Sequence, residues 1–263
     1  MREMPVLRRH GAPATIYAAA DFADGRGMLW WLVLERVVRE TDEIVLSHGG
    51  ATRKLACGSV REKSRTFGAL YWWLRDLPEH EARGIVGQIA CTAGIDIHAP
   101  CRALVMGWDE LREIAADSLV TIGAHSMSHL ALAKLEAGQA RAEMADSIAR
   151  IERELGRPCR HFCYPYGNAA SAGEREFRIA GELGLATAVT TRKGFVTDRA
   201  IARPLALPRV SLNGDFQSLP CLKALLSGVP FALWNSAERV FRKPRTSDTG
   251  IVSINPSVAQ RVE

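Results

Sequence analysis

From residue 119 onward, short apolar runs alternate with amphipathic stretches, and this alternation restricts the possible folds more than any other feature of the chain. Leu119 to Gly123 reads as a buried strand. A long amphipathic helix follows, carrying Met144, Ile148, Ile151 and Leu155 and closed by Gly156 and Pro158. His161 to Tyr164 reads as the next strand, Glu174 to Leu183 as a helix ended by Gly184, and Ala186 to Thr190 as a third strand. Parallel neighbours in one sheet need a long crossover, and a helix between consecutive strands supplies it. The repetition therefore predicts an α/β fold built on a parallel sheet.

The first part of the chain joins this pattern and then leaves it. Pro5 to His10 reads as a helix end, with Gly11 as its cap and Pro13 blocking continuation. Ala14 to Ala20 is a short apolar run suited to a buried parallel strand, ending in the turn-prone stretch Asp21 to Gly27. Residues 28–118 are mainly helical in pattern: Trp30, Leu34 and Val37 share one face, and Phe67, Leu70, Tyr71 and Leu74 another. A hairpin over Glu43 to Ala56, turning at Gly49 and Gly50, interrupts them. The pairs Trp30/Trp31 and Trp72/Trp73 are read as core of this helical region rather than as a sugar-binding surface.

A length of 263 residues with 47% hydrophobic and 24% charged residues is ordinary globular composition, which excludes a fibrous or disordered chain and suits one large domain. The net charge of +5 is scattered among acidic residues, so nucleic acid is not an expected partner. Arg242, Lys243 and Arg245 open a polar stretch without apolar period, and residues 241–263 read as a flexible tail. The six cysteines form no C-x-x-C pair and read as buried thiols. Cys159, His161 and Cys163 fit strand alternation better than a metal cluster. Met28 to Leu34 is too short an apolar run to span a bilayer, and Arg2, Glu3, Arg8, Arg9 and His10 interrupt any secretory signal before Pro13. The chain as written reads as cytoplasmic.

Two segments carry chemistry. Thr121 to Leu132 reads TIGAHSMSHLAL and places His125 and His129 four apart just beyond a strand, where one helical turn would bring both imidazoles to one side. The pair alone also fits a capped helix start. His161 to Asn168 reads HFCYPYGN, a strand entering a Pro-aromatic-Gly turn. Pro165 and Gly167 would fix that backbone so that nearby amide hydrogens can point at a ligand, as an oxyanion site requires.

Together, an H-S-x-x-H segment after one strand and a Y-P-Y-G segment after the next resemble the polysaccharide deacetylases of carbohydrate esterase family 4, the nodulation protein B or chitooligosaccharide deacetylase type. PVLRRHGAPATIY is similar to the helix and second strand of that fold, and Leu207 to Phe216 to its late strand region, so the resemblance covers most of residues 5–235. It implies a distorted seven-stranded (β/α) barrel domain over residues 1–240, lacking its first strand, with residues 28–118 as a helical insertion after the second. It also implies a hydrolase of carbon–nitrogen bonds that removes N-acetyl groups from an amino-sugar oligo- or polysaccharide with a divalent metal, zinc first. By this resemblance His125 and His129 bind the metal and Ser126 helps to hold the loop. Tyr164, Pro165 and Tyr166 meet the substrate, and the Tyr166 backbone amide stabilises the oxyanion.

The chain departs from the family in three places. The T-F-D-D segment, whose aspartates give the general base and the third metal ligand, is not found. Its nearest lookalike, Asp21 to Gly25, follows the wrong strand, although Asp21 or Asp24 at a strand end could act as a substitute carboxylate. Cys163 stands where the family often has an arginine that orients the base, and Arg209 is the candidate replacement. No histidine follows His161 to serve as the general acid. The expectation is a family member with little or no turnover as written, its first strand and any export signal lying upstream of Met1. The alternatives are a non-catalytic carbohydrate-binding relative and a small-molecule amide hydrolase on the same fold.

Overall fold

Strand-length apolar runs linked by amphipathic helices give, in the computed structural model, one parallel sheet. The structure describes residues 4–212 and 218–231, which fall into two compact units, residues 4–20 with 108–231 and residues 21–107. The flexible tail expected at 241–263, and residues 213–216 of the late strand region, lie outside the described residues.

The first unit contains helix α1 (Met4–His10) and strands β1 (Ala14–Ala18), β4 (Val120–Ala124), β5 (His161–Cys163), β6 (Thr187–Lys193) and β7 (Leu207–Arg209). They form a five-stranded sheet in the order β1-β4-β5-β6-β7, every pair parallel. Each strand lies beside its predecessor in this unit, with no reversal of order, as in the wall of an α/β barrel and unlike a doubly wound sheet. The expected parallel α/β sheet is present, with five strands among the described residues where the resemblance implied a seven-stranded barrel. The register pairs Ala18 with Ala124, Ala124 with Phe162, and Phe162 with Ala188. The carboxyl ends of β1, β4 and β5 therefore come out side by side, and the residues that follow them share one rim of the sheet.

The crossovers are helical as expected: α7 (Trp108–Ala115) precedes β4, α8 (Ala137–Leu155) joins β4 to β5, α9 (Glu174–Glu182) joins β5 to β6, and the short α10 (Asp198–Ile201) leads to β7. Helix α11 (Leu219–Leu226) follows. The long helix α8 buries Ala140, Met144, Ser147 and Ile151, one stripe at helical spacing, while Ile148 and Leu155 are half-buried beside it. Gly156 ends it in the left-handed conformation at φ 65°, donating its N–H to the Glu152 carbonyl. Phe162, Tyr164, Phe177 and Ala188 complete the packing between α9 and the sheet.

Between β1 and β4 lies the mainly helical second unit, with α2 (Ala20–Ala23), α3 (Trp30–Glu40), α4 (Val60–Asp76), α5 (Glu79–Thr92) and α6 (Ala99–Leu104). Its antiparallel hairpin, β2 (Glu43–His48) and β3 (Ala51–Ala56), turns at Gly49 and Gly50, both at positive φ. Alternation along β2 buries Ile44 and Leu46 against α3 and α5 through a core that includes Val33, Leu34, Val37, Val86 and Ile89. The Ser59 hydroxyl and the Glu62 carboxylate close a capping box at the start of α4. Trp30 is buried and stacks on Tyr71, and Trp31 and Trp73 pack partly buried against the same core, but Trp72 is 54% exposed. One sequence expectation fails at the entry to this unit. The run from Ala14 stops as a strand at Ala18, and Ala20–Ala23 forms a helical turn where an open turn was expected. Within this turn the Phe22 ring lies on Gly27, where a Cβ would meet it at 1.8 Å, so the close approach needs glycine there.

No helix among the described residues is long and apolar enough to cross a membrane.

Candidate active site

Parallel α/β sheets place ligands beyond the carboxyl ends of their strands, because loops there can vary while the strands hold them rigidly. His125 is the first residue after β4 and Tyr164 the first after β5, while Arg209 ends β7. These three positions bring both sequence-predicted segments and the predicted arginine to one rim.

The histidine segment is a loop and not the helical turn expected from the i, i+4 spacing. His125 donates its backbone N–H to the Ala18 carbonyl at 3.0 Å, and Ala20 donates to the Ser126 carbonyl at 3.3 Å, which ties the loop to the end of β1. Ser126 and His129 then adopt left-handed backbone conformations, with φ of 62° and 59°. The spacing suggested a helix because nothing in a sequence announces a left-handed serine or histidine. Ser126 is fully buried, and its Oγ accepts the His129 N–H at 2.9 Å, so the serine of H-S-x-x-H braces the second histidine. The two imidazoles converge nonetheless, with ring centroids 4.7 Å apart and planes at 78°.

The Y-P-Y-G segment packs against them. Tyr166 is also left-handed, at φ 59°, and its ring meets the His129 ring edge-on at 5.0 Å. Ser126, His129 and Tyr166 are the positive-φ residues other than glycine among those described, and all three belong to this site. Each such residue costs on the order of 1–3 kcal/mol and persists only where its surroundings over-determine it. For Tyr166 the surroundings are clear: Thr191 Oγ1 donates to its carbonyl at 2.6 Å, and Thr191 N–H donates to the Gly167 carbonyl at 3.0 Å. Gly167 sits at φ 61°, and a Cβ there would lie 2.7 Å from the Thr191 nitrogen, so the turn accepts only glycine. Tyr164 and Pro165 lie beneath this turn. Tyr164 is fully buried between Phe162 and Phe177 and donates its hydroxyl to the Leu205 carbonyl at 2.9 Å; burial pushes its phenol well above the usual range.

The chemistry of the histidines follows from their partners. His125 Nδ1 lies 2.6 Å from the Cys163 carbonyl. A carbonyl only accepts, so Nδ1 carries the proton and Nε2 keeps its lone pair. Burial lowers the pKa of His125 from 6.5 to about 4, the positive charge of Arg209 adds to the shift, and the Cys163 carbonyl opposes it. The imidazole is therefore neutral at physiological pH, the form in which histidine binds a metal. Arg209 donates Nε–H to the Thr190 carbonyl at 2.8 Å and sets its guanidinium beside the Cys163 thiol. The arginine from β7 thus occupies the flank of the cysteine that stands where an arginine was expected.

Sequence reasoning missed three residues here. Tyr17 of β1 covers Gly123, where a Cβ would meet its ring at 2.7 Å, and burial raises its phenol pKa beside Cys163 and Arg209. Thr191 holds the Tyr166 turn, and Glu143 of α8 holds the histidine loop. Strand alternation could have flagged Tyr17; no local signal marks the other two. The substitute carboxylates Asp21 and Asp24 are both ion-paired with Arg26, at 2.9 and 2.7 Å.

Two converging imidazoles supply part of a zinc donor set, which ordinarily has at least three protein ligands. Among the described residues no group of three or more His, Cys, Asp or Glu is placed to hold a metal. The two histidines fit the nitrogen donors of such a site without completing it.

The model of the family described as polysaccharide deacetylase matches residues 2–188. No curated protein matches the chain. Similar solved structures include a deacetylase from Streptococcus pyogenes in complex with acetate, at 18% identity and a TM-score of 0.41, covering 55% of this chain and 63% of that one. A de-N-acetylase from Aggregatibacter actinomycetemcomitans is 13% identical with a TM-score of 0.46, over 84% of this chain and 68% of that one. A deacetylase domain from Bordetella bronchiseptica is 16% identical with a TM-score of 0.41, over 78% and 63%. The chain thus spans less than two thirds of the Streptococcus and Bordetella chains.

Proposed function

The chain belongs to the polysaccharide deacetylase family, and on that premise we propose that it acts on N-acetylated oligo- or polysaccharides as a metal-dependent amide hydrolase. The observation that carries this reading is the convergence of His125 and His129, one held in the Nδ1-protonated tautomer by the Cys163 carbonyl, against the strained Tyr166 turn. A divalent metal, zinc first, would be held by these two imidazoles and would supply Lewis acidity and a water of lowered pKa. His125 keeps Nε2 available at neutral pH because burial keeps the ring uncharged. The left-handed turn at Tyr166 sets the direction of its backbone amide, and in this reading that amide meets the developing oxyanion of the acetamide. A donor of this kind typically contributes about 2.7–4 kcal/mol to barrier lowering. Tyr166 offers a half-exposed ring to the sugar, with Tyr164 and Pro165 buried beneath as its footing. Arg209 adds a fixed positive charge beside Cys163 and His125, suited to orienting a carboxylate or the acyl oxygen.

A second reading, carbohydrate binding without turnover, draws on the incomplete donor set among the described residues. One experiment separates them. Acetate release from chitooligosaccharides is measured with added zinc or cobalt for the native chain and for His125→Ala/His129→Ala. Metal-dependent release that the double substitution abolishes supports the hydrolase. Oligosaccharide binding without release, unchanged by the double substitution, supports the binding protein and sinks the hydrolase. Release from small amides but not from the oligomers would reassign the substrate class.

A further inference from the structure

Two of the three residues between the histidines, Met127 and Ser128, are both fastened to one residue, Glu143. Met127 donates its backbone N–H to the main-chain carbonyl of Glu143 at 3.0 Å. Ser128 donates its backbone N–H to Glu143 Oε2 at 2.9 Å and its hydroxyl to Oε1 at 3.0 Å. Both carboxylate oxygens and the peptide carbonyl of one residue on α8 are thus engaged by the centre of the loop. Bonds to an ionised carboxylate are the stronger kind. Helix α8 is itself immobilised in the core through Ala140, Met144, Ser147 and Ile151.

We propose that Glu143 is a positioning residue for the imidazole pair, fixing the peptides of Met127 and Ser128 so that His125 and His129 converge. The proposal rests on the reading of the two histidines as metal donors. His125 is anchored from β1 and β5, and His129 is braced by Ser126, but the intervening peptides are tied to the body of the unit by Glu143. Two left-handed residues bound this short loop, and either could relax toward ordinary backbone angles if those peptides were released. Relaxation would turn the His129 ring away from His125, and groups that orient metal ligands typically carry 10–100-fold of metal affinity.

The test uses the full chain with Glu143→Gln and Glu143→Ala, measuring zinc affinity by competition with a chromophoric chelator and amide exchange at residues 127–129. Glu143→Ala should weaken zinc binding about 10–100-fold and speed exchange at Ser128, whose N–H loses its carboxylate acceptor, with Met127, bonded to the retained main-chain carbonyl, as the internal reference. Glu143→Gln, isosteric and safe for folding, should lie between, because its amide nitrogen opposes one of the two Ser128 donors. Zinc affinity and exchange both equal to the native chain would overturn the proposal. If the native chain and His125→Ala take up equally little zinc, the metal reading fails instead. The exchange data then decide alone: unchanged rates reject Glu143 as the loop's anchor, and accelerated rates retain it.

Discussion

At the residue scale, the site is a set of backbone conformations as much as a set of side chains. Gly167 shows this most directly. At φ 61°, with a Cβ destined for a point 2.7 Å from the Thr191 nitrogen, Gly167→Ala should lose about 1–3 kcal/mol in denaturant unfolding. Gly87, in the middle of α5 with open space around its Cβ position, is the control: Gly87→Ala should gain roughly 0.5–1 kcal/mol. Equal effects at the two glycines would refute the strain assigned to the turn. The His125 ring gives a pH dependence of known sign. Its pKa falls from 6.5 to about 4 on folding, chiefly through burial, so the unfolded chain binds the proton more readily. This contribution to stability is complete above about pH 6.5 and drains away as pH falls toward 4. The metal-free native chain should lose more unfolding free energy between pH 7 and 5 than His125→Gln, and parallel curves would contradict the burial. Of these features, the sequence showed the histidine spacing and the glycine of the turn. It hid the left-handed Ser126 and His129, because residue types with Cβ atoms give no sign of positive φ and three-dimensional bracing decides it.

At the element scale, periodicity carried most of the information. The strands at 120–124, 161–163 and 187–193, the helix at 137–155 and the hairpin with its glycine turn all follow from apolar spacing and turn chemistry. Two elements escaped it: the helical turn at Ala20–Ala23, and the loop at 125–129, whose backbone is tied by Glu143 and Ser126. The tryptophan pairs test the same distinction between pattern and packing. Both pairs, Trp30/Trp31 and Trp72/Trp73, read as core, yet consecutive residues on a helix diverge by about 100° and cannot all face inward. Trp30→Ala should destabilise by about 3–5 kcal/mol through the cavity it leaves against Tyr71 and the α3 core. Trp72→Ala, at a position 54% exposed, should stay within about 0.5 kcal/mol. Thermal or denaturant unfolding of the two variants checks both, and a large loss at Trp72 would mean that its ring is covered.

At the scale of the whole molecule, the order of the sheet and the state of the thiols speak to the same issue, how completely each unit buries its interior. Sequential parallel strands leave one rim for chemistry and commit both faces to packing. The cysteines sample that packing widely, with Cys57 and Cys101 buried in the helical unit and Cys159 and Cys163 buried in the sheet unit. Burial pushes the Cys159 thiol up to about 11 and raises the other three as well, so at pH 8 few of their thiolates exist and none lies open to reagent. Cys91 is exposed and Cys221 half-exposed, without such protection. All six cysteines are free in the structure. Alkylation of the native chain at pH 8, read by peptide mass spectrometry, should label Cys91 first and Cys221 next, while the remaining four react only when denaturant opens their unit. Rapid native labelling of Cys57 or Cys101 would show the helical unit to be loosely packed. The same result at Cys159 or Cys163 would place solvent under the His125 loop, where the tautomer assigned from the Cys163 carbonyl requires a dry strand end.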